Sequence, residues 1–166
     1  MFIKYTNYSD GIHDIRLIKK SSEIGLEKPF WGNVIVECKM DKSASQIILD
    51  CELAVQGKFI CDRCNELFDR ELTAHFQLTY LFTKSHKVSD EDNVFYLSPD
   101  VDKLVITKDV RDYSLLSIPM KNLCSPDCKG LCPHCGTNLN YSQCTCEIES
   151  VNPVWEPLLK IKNKLN

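Results

Sequence analysis

"QIILDCELAVQGKFICDRCNELFDRELTAHFQLTYLF", residues 46–82, holds two alternating apolar runs with a pair of cysteines between them. In the first run Ile47, Leu49, Cys51, Leu53 and Val55 share one face, and Asp50, Glu52 and Gln56 share the other. In the second, Leu72, Ala74, Phe76, Leu78, Tyr80 and Phe82 alternate with mostly polar residues. A period of two is the mark of a half-buried strand. Upstream, "VIVECKMD" (34–41) repeats the pattern, with Val34, Val36, Cys38 and Met40 on one side. Three such runs in succession predict an antiparallel meander with one wet face. Cys61-x2-Cys64 then occupies a hairpin tip.

Cys38 and Cys51 fall on the apolar faces of their strands and read as small core residues, because free Cys is commonly buried. The alternative, a redox thiol pair, needs the two adjacent and exposed. Residues 83–93 are polar and charged and read as a loop, with His86 a solvated side chain. A helix is expected near 107–118. Thr107 is its candidate cap, Asp109 suits its first turn, and Ile106, Val110, Tyr113 and Leu116 approximate one face. Pro119 ends it. The expected fold is α+β and β-rich, an antiparallel sheet with one main helix and a zinc-stapled C-terminal Cys-rich segment. The expected division is a β-rich domain over 1–122, a zinc-knuckle segment over 123–150 packed on it, and a tail over 151–166.

The chain has 166 residues, ten of them cysteine, and a formal net charge of −3. The opening residues, Met1 to Tyr8, carry no long apolar run and read as neither a secretory signal nor a transit peptide. No stretch reaches the roughly 18 apolar residues of a membrane helix. A soluble, cytoplasmic protein is therefore expected, without membrane contact. Disulfides are not expected in a reducing compartment, where clustered Cys pairs more often hold metal.

With two thiols assigned to the core, eight remain. From Cys124 the spacing is C-x3-C-x3-C-x2-C-x8-C-x-C. Pro126, Gly130 and Pro133 oppose a helix there, so the segment is a chain of turns. A C-x2-C turn presents two thiolates to one ion, and two more complete a tetrahedron. The partition proposed from spacing gives one zinc to Cys61, Cys64, Cys124 and Cys128. It gives a second to Cys132, Cys135, Cys144 and Cys146. The first would staple the strand hairpin to the segment after the helix. The second would be a local ribbon, with Gly136 permitting the tight knuckle backbone. The tight Cys144-x-Cys146 spacing leaves open whether both are ligands, since an extended chain would point the two side chains apart. His134 or water is the substitute, although His134 also reads simply as a surface histidine. Structural zinc binds with on the order of 10–16 kcal/mol in small peptides near neutral pH, so order in this segment is expected to depend on metal.

Rival chemistries fit less well. Cys128-x3-Cys132-x2-Cys135 matches the cluster triad of radical S-adenosylmethionine enzymes, but the 31 residues that follow Cys135 cannot build their barrel. A catalytic zinc keeps an open position and usually recruits His or carboxylate. The chain has four histidines, no H-x-x-x-H pair, no Gly-rich phosphate loop and no nucleophile–base motif, so no enzyme and no small-molecule substrate are expected. A zinc ribbon that reads nucleic acid carries Lys, Arg and aromatics around its knuckles. Between Asn122 and Ser150 the one Lys or Arg is Lys129. Arg63, Arg70 and Lys121 lie near the first site, and Lys160, Lys162 and Lys164 form a basic tail. Solvated charges are the plainer reading of so few residues.

"CDRCNELF", "RDYSLLSIPMKNLC" and "CKGLCPHCGTNLN" with its trailing "CTC" together resemble the YceD-type family, the large ribosomal RNA subunit accumulation proteins. The resemblance covers roughly residues 55 to 146, and the first fifty contribute little to it. It implies a non-enzymatic role in ribosome biogenesis, with members linked to accumulation of large-subunit ribosomal RNA. It also implies that the positions of Cys61, Cys64, Cys124 and Cys128 form the shared site and that the second is an elaboration, since some members lack it. Where the family commonly has Asp-Pro-Arg after the last cysteines, this chain has Asn152-Pro153-Val154. The resulting expectation is a non-catalytic adaptor in large-subunit rRNA accumulation or processing. Its partner would be a ribosomal protein or pre-ribosomal RNA, and the negative charge favours a basic protein. The alternative is a zinc-ribbon regulator that binds nucleic acid directly.

Overall fold

The computed structural model describes residues 1–82, 93–98 and 100–146. Its centre is a sheet of five strands in the order β2-β3-β4-β5-β6. These are β2 (Gly11–Lys20), β3 (Phe30–Lys42), β4 (Gln46–Ile60), β5 (Leu67–Phe82) and β6 (Val94–Leu97). The first four form an antiparallel meander, and β6 joins β5 in parallel, with Thr79 opposite Val94. A two-stranded ribbon pairs β1 (Phe2–Ile3) with β7 (Leu104–Val105). One α-helix, α1 (Thr107–Leu116), follows. The fold is thus β-rich with one main helix, as the alternation predicts. It exceeds the expected three strands by a fourth meander strand, a parallel edge and a small ribbon. The loop read at 83–93 lies outside the described residues except for Asn93, as do 147–150 and the tail.

Alternation in β3, β4 and β5 sends one residue in two to the core. Val34, Val36, Met40, Ile47, Leu49 and Leu78 are each 0% exposed. Burying a side chain of this kind stabilises the fold by about 1.5–3 kcal/mol relative to leaving it in water. Helix α1 covers part of this face through Val110 and Tyr113. The Tyr113 ring stacks on Phe76 with centroids 4.7 Å apart. Ile106 and Val110 are fully buried, as expected, but Leu116 is 77% exposed. At the helical period it lies about 120° around the axis from Val110, and Ser114 takes the inward place instead. Thr107 does not cap the helix. The cap position is Ile106, without a side-chain bond, and the Thr107 hydroxyl donates to the Met1 carbonyl at 3.0 Å. Asp109 does sit in the first turn, where partial burial raises its carboxyl pKa.

Cys38 and Cys51 depart from expectation in their bonding. Both lie in the core, but they form a disulfide across β3 and β4 rather than remaining free thiols. Register explains this: the two residues are directly opposite, with Cα atoms 4.1 Å apart. That closeness belongs to the non-hydrogen-bonded pairs of an antiparallel ladder.

Among the described residues no helix is long and apolar enough to cross a membrane.

Candidate metal centres

The β4–β5 hairpin closes on residues 61–66. The Asn65 N–H donates to the Cys61 carbonyl at 2.9 Å, and the Cys61 N–H donates to the Glu66 carbonyl at 2.9 Å. Asn65 turns the chain with φ +59°, a left-handed conformation that Asn accepts more readily than most side chains. Residues 132–137 repeat this unit. Gly136 N–H donates to Cys132 O at 2.9 Å, Cys132 N–H donates to Thr137 O at 2.8 Å, and Gly136 has φ +73°. Both turns therefore aim two thiols at one point.

Four sulfurs converge at each point. Cys61, Cys64, Cys124 and Cys128 form one set, and Cys132, Cys135, Cys144 and Cys146 the other. Within each set all the sulfurs lie within 4.8 Å of one another. In the first set Cys61 and Cys128 sulfurs are 3.8 Å apart, and Cys64 and Cys124 sulfurs 3.6 Å. In the second, Cys144 is 3.3 Å from Cys132 and 3.5 Å from Cys135. A zinc ion with four thiolates at about 2.3 Å sets its tetrahedral sulfur–sulfur edges at about 3.8 Å. The spacings in both sets lie close to that edge, so the residues present fit a tetrahedral ion. These are the two groups of four marked out by the spacing. Cys144 and Cys146 both join the second, and His134 is exposed outside it.

The surroundings favour thiolate in part of each set. The Asn140 amide donates to the Cys128 sulfur at 3.4 Å, and this hydrogen bond lowers the Cys128 pKa. The backbone N–H of His134 donates to the Cys132 sulfur at 3.4 Å. Burial disfavours a charge on Cys61, but the backbone N–H groups of Cys124, Cys64 and Arg63 outweigh it and bring the thiol down to about 6. The Thr137 hydroxyl, 3.1 Å from the Cys135 sulfur, leads in bringing that thiol to about 6. Their neighbours move oppositely. Burial and then the adjoining thiols push Cys124 up to about 12, and the adjoining thiols push Cys146 up to about 12. Each metal-free set thus shares protons among crowded sulfurs. A dication would relieve that crowding.

The two sets are held differently. The loop carrying Cys124 and Cys128 is clamped to the sheet by side chains whose role was not legible from spacing. Arg63 donates to the carbonyls of Cys128 at 2.8 Å and Pro126 at 3.3 Å, and Arg70 donates to the Leu123 carbonyl at 2.8 Å. Asp62 and Asn122 exchange two bonds: Asp62 N–H to Asn122 O at 2.8 Å, and Asn122 N–H to the Asp62 carboxylate at 2.6 Å. The second unit leans on the first through the Leu131 N–H to the Arg63 carbonyl at 3.1 Å and through Asn138 to Glu66 at 3.4 Å. Asn140 links the two, since its side chain also accepts from the Lys129 N–H at 2.8 Å. One signal could have exposed Asn65. "CDRCN" aligned on "CPHCG" puts Asn where the other knuckle has Gly, and these residues share the left-handed region.

Comparison with known proteins agrees with the residues on which the resemblance rests. The family described as large ribosomal RNA subunit accumulation protein YceD matches residues 49–162. Two curated relatives are each named large ribosomal RNA subunit accumulation protein YCED homolog 1, chloroplastic. The one from Arabidopsis thaliana is 32% identical over 76 residues, 46% of this chain and 24% of the relative. The one from Zea mays is 47% identical over 55 residues, 32% of this chain and 19% of the relative. The alignments thus span a quarter or less of those relatives' length. No solved structure matches the chain. The chain belongs to the YceD family of large ribosomal RNA subunit accumulation proteins.

Proposed function

We propose that this member of the family is a non-catalytic adaptor in large-subunit ribosomal RNA accumulation, held in shape by two structural zinc ions. The observation that carries the reading is the donor set. Among the described residues, each cluster offers four cysteine sulfurs within 4.8 Å of one another and no fifth candidate ligand. All-thiolate tetrahedral zinc is closed and structural, whereas catalytic zinc keeps a position for water or substrate. Zinc here would fix the Cys124–Cys128 loop against the β4–β5 hairpin and shape the knuckle beyond it.

Charge favours a basic protein as the partner. Two closed tetrathiolate sites would add about −2 each to a chain already at −3. Arg63 and Arg70, beside the first site, are turned onto backbone carbonyls. Around the hollow on the open face of the sheet, Asp14, Glu37, Asp50 and Glu52 outnumber Arg16 and Lys39. These features support a ribosomal protein over naked pre-ribosomal RNA, and they weigh against a zinc-ribbon regulator that grips nucleic acid directly. A cytoplasmic setting belongs to the same proposal on the strength of the eight cluster thiols, which a reducing compartment keeps free for metal, and against the pull of the Cys38–Cys51 disulfide, which such a compartment disfavours.

The test is affinity purification of the tagged protein from native cells, with and without ribonuclease. Large-subunit proteins retained after ribonuclease support the reading. Recovery of precursor RNA alone, or of neither under mild salt, refutes the protein-adaptor role.

A further inference from the structure

The five-stranded sheet ends on β2, ten residues long. Among the described residues, no backbone hydrogen bond reaches the outer side of this strand. Geometry identifies which groups are left over. The close approach of Cys38 to Cys51 marks a non-hydrogen-bonded pair, so the Cys38 N–H and C=O point the other way, to Ile15. Directions alternate along a strand. The backbone groups of Ile12, Asp14, Arg16 and Ile18 therefore point off the edge of the sheet. Their side chains lie on its open face, where Ile12 is 62% and Ile18 51% exposed.

Protein edges are usually blunted by bulges, prolines, short strands or charged side chains, lysine above all. Strand β2 is ten residues long with no bulge and no proline, and its central charges, Asp14 and Arg16, are opposite in sign. It pairs with β3 without a register shift, and its lysines stand at the end, at positions 19 and 20. The sequence is also self-complementary about Ile15. In an antiparallel pairing of β2 with itself centred there, Ile15 meets Ile15, Asp14 meets Arg16 twice and Ile12 meets Ile18 twice. A shift of the centre to Asp14 or Arg16 opposes like charges at the axis and sets the isoleucines against charged residues. Arg16 holds Glu37 through its Nε at 3.2 Å, which leaves the terminal nitrogens of its guanidinium for a second carboxylate.

We propose that this protein forms a two-fold dimer by pairing β2 with β2 of a second copy in the register centred on Ile15, making one continuous ten-stranded sheet. Like-with-like pairing of this kind closes the assembly and removes the exposed edge. The inference does not depend on the metal sites or on the adaptor reading.

Charge reversal tests it. Sedimentation velocity of the full chain over a micromolar series should show a monomer–dimer equilibrium. Asp14→Arg alone sets arginine against arginine in the dimer, and Arg16→Asp alone sets aspartate against aspartate. Each should weaken dimerisation roughly tenfold or more, from two attractions turned into two repulsions. In a mixture of the two variants, the arginines at both positions of one chain face the aspartates at both positions of the other. The mixture should therefore restore a dimer made only of unlike chains. Both positions are exposed, so thermal melts of the variants serve as the folding control. A monomer throughout, single variants that dimerise as the parent does, or a mixture that recovers nothing would each overturn the proposal.

Discussion

Gly130→Ala should weaken metal binding at the first cluster far more than Gly136→Ala weakens it at the second. Both glycines adopt left-handed backbone, at φ +78° and +73°. Replacing Gly by Ala there costs about 1 kcal/mol in conformation alone. Gly136 has nothing within 4 Å of the position a Cβ would take, so that cost is the whole effect. At Gly130 the new Cβ would stand 3.0 Å from the Arg63 carbonyl oxygen and 3.4 Å from the Arg63 Cβ. That oxygen accepts the Leu131 N–H, and its peptide lies inside the knuckle that carries Cys61 and Cys64. Either the backbone withdraws and the bond is lost, or the knuckle moves. A lost bond adds about 0.5–1.5 kcal/mol, for a total of about 1.5–2.5 kcal/mol. At 1.4 kcal/mol per tenfold this is roughly 10- to 60-fold in affinity at the first site, against roughly fivefold at the second for Gly136→Ala. Chelator competition on the two-zinc protein reads both constants. Equal losses, or a Gly130→Ala protein with parental affinity, would refute the argument that the two knuckles are pressed together at this peptide.

Further outcomes follow from the same geometry. Cys61→Ala should lower bound zinc from two ions to one and leave the second cluster loaded, as read by elemental analysis. Two ions retained would contradict the grouping. In metal-free protein, Cys61 and Cys135 sit near 6, below the unfolded thiol value, and Cys124 and Cys146 sit near 12. A depressed pKa contributes stability that is present above the unfolded value and lost as pH falls through about 6. A raised one contributes stability that is present below the unfolded value and lost as pH climbs toward 12. Stability of the chelator-treated protein should therefore peak near the unfolded thiol pKa of about 8.5. Denaturant melts that stay flat from mildly acidic to mildly alkaline pH would count against it. Alkylation in denaturant and chelator should tag eight cysteines without reductant and ten with it, since Cys38 and Cys51 are bonded. Ten tags without reductant would show them free.

What could be read from sequence depended on how strongly neighbouring residues contrast. In β4 and β5 the inner and outer faces differ at nearly every position, and the hairpin with its cysteine tip follows. Strand β2 resists the same reading. Ile12 and Ile18 face outward while Ile15 faces the core, so isoleucine stands on both faces and the alternation blurs. Strands β1 and β7 have two residues each, too few for any period. Strand β6 is uniformly apolar, and its parallel pairing is a tertiary choice. The disulfide was hidden because it depends on register between strands: Cys38 and Cys51 share a face in sequence, but only direct opposition brings them to bonding distance. Arg63 and Arg70 read as solvated charges for a related reason. A cation's partner can be a backbone carbonyl some fifty or sixty residues away, which no local pattern records.

The two cysteine units are one hydrogen-bonded turn used twice, and their settings imply different dependence on metal. The first turn ends a β4–β5 ladder that pairs Ile60 with Leu67, so folding of the sheet builds it. Its other half, the Cys124–Cys128 loop, is tied down by Arg63, Arg70 and the Asp62–Asn122 exchange without any ion. Charged hydrogen bonds of this type contribute about 1.5–3 kcal/mol each, so chelation should leave that loop near its place. The second turn has a single bridge, Leu131 with Asn138, and its Cys144–Cys146 arm reaches it mainly through sulfur. Removing metal there removes most of what closes the unit. Stepwise chelation followed by amide hydrogen exchange should therefore expose residues 132–146 before residues 61–66 and 122–128. Protection lost together in both, or first around Cys61, would mean that the arginine clamps do not hold without zinc.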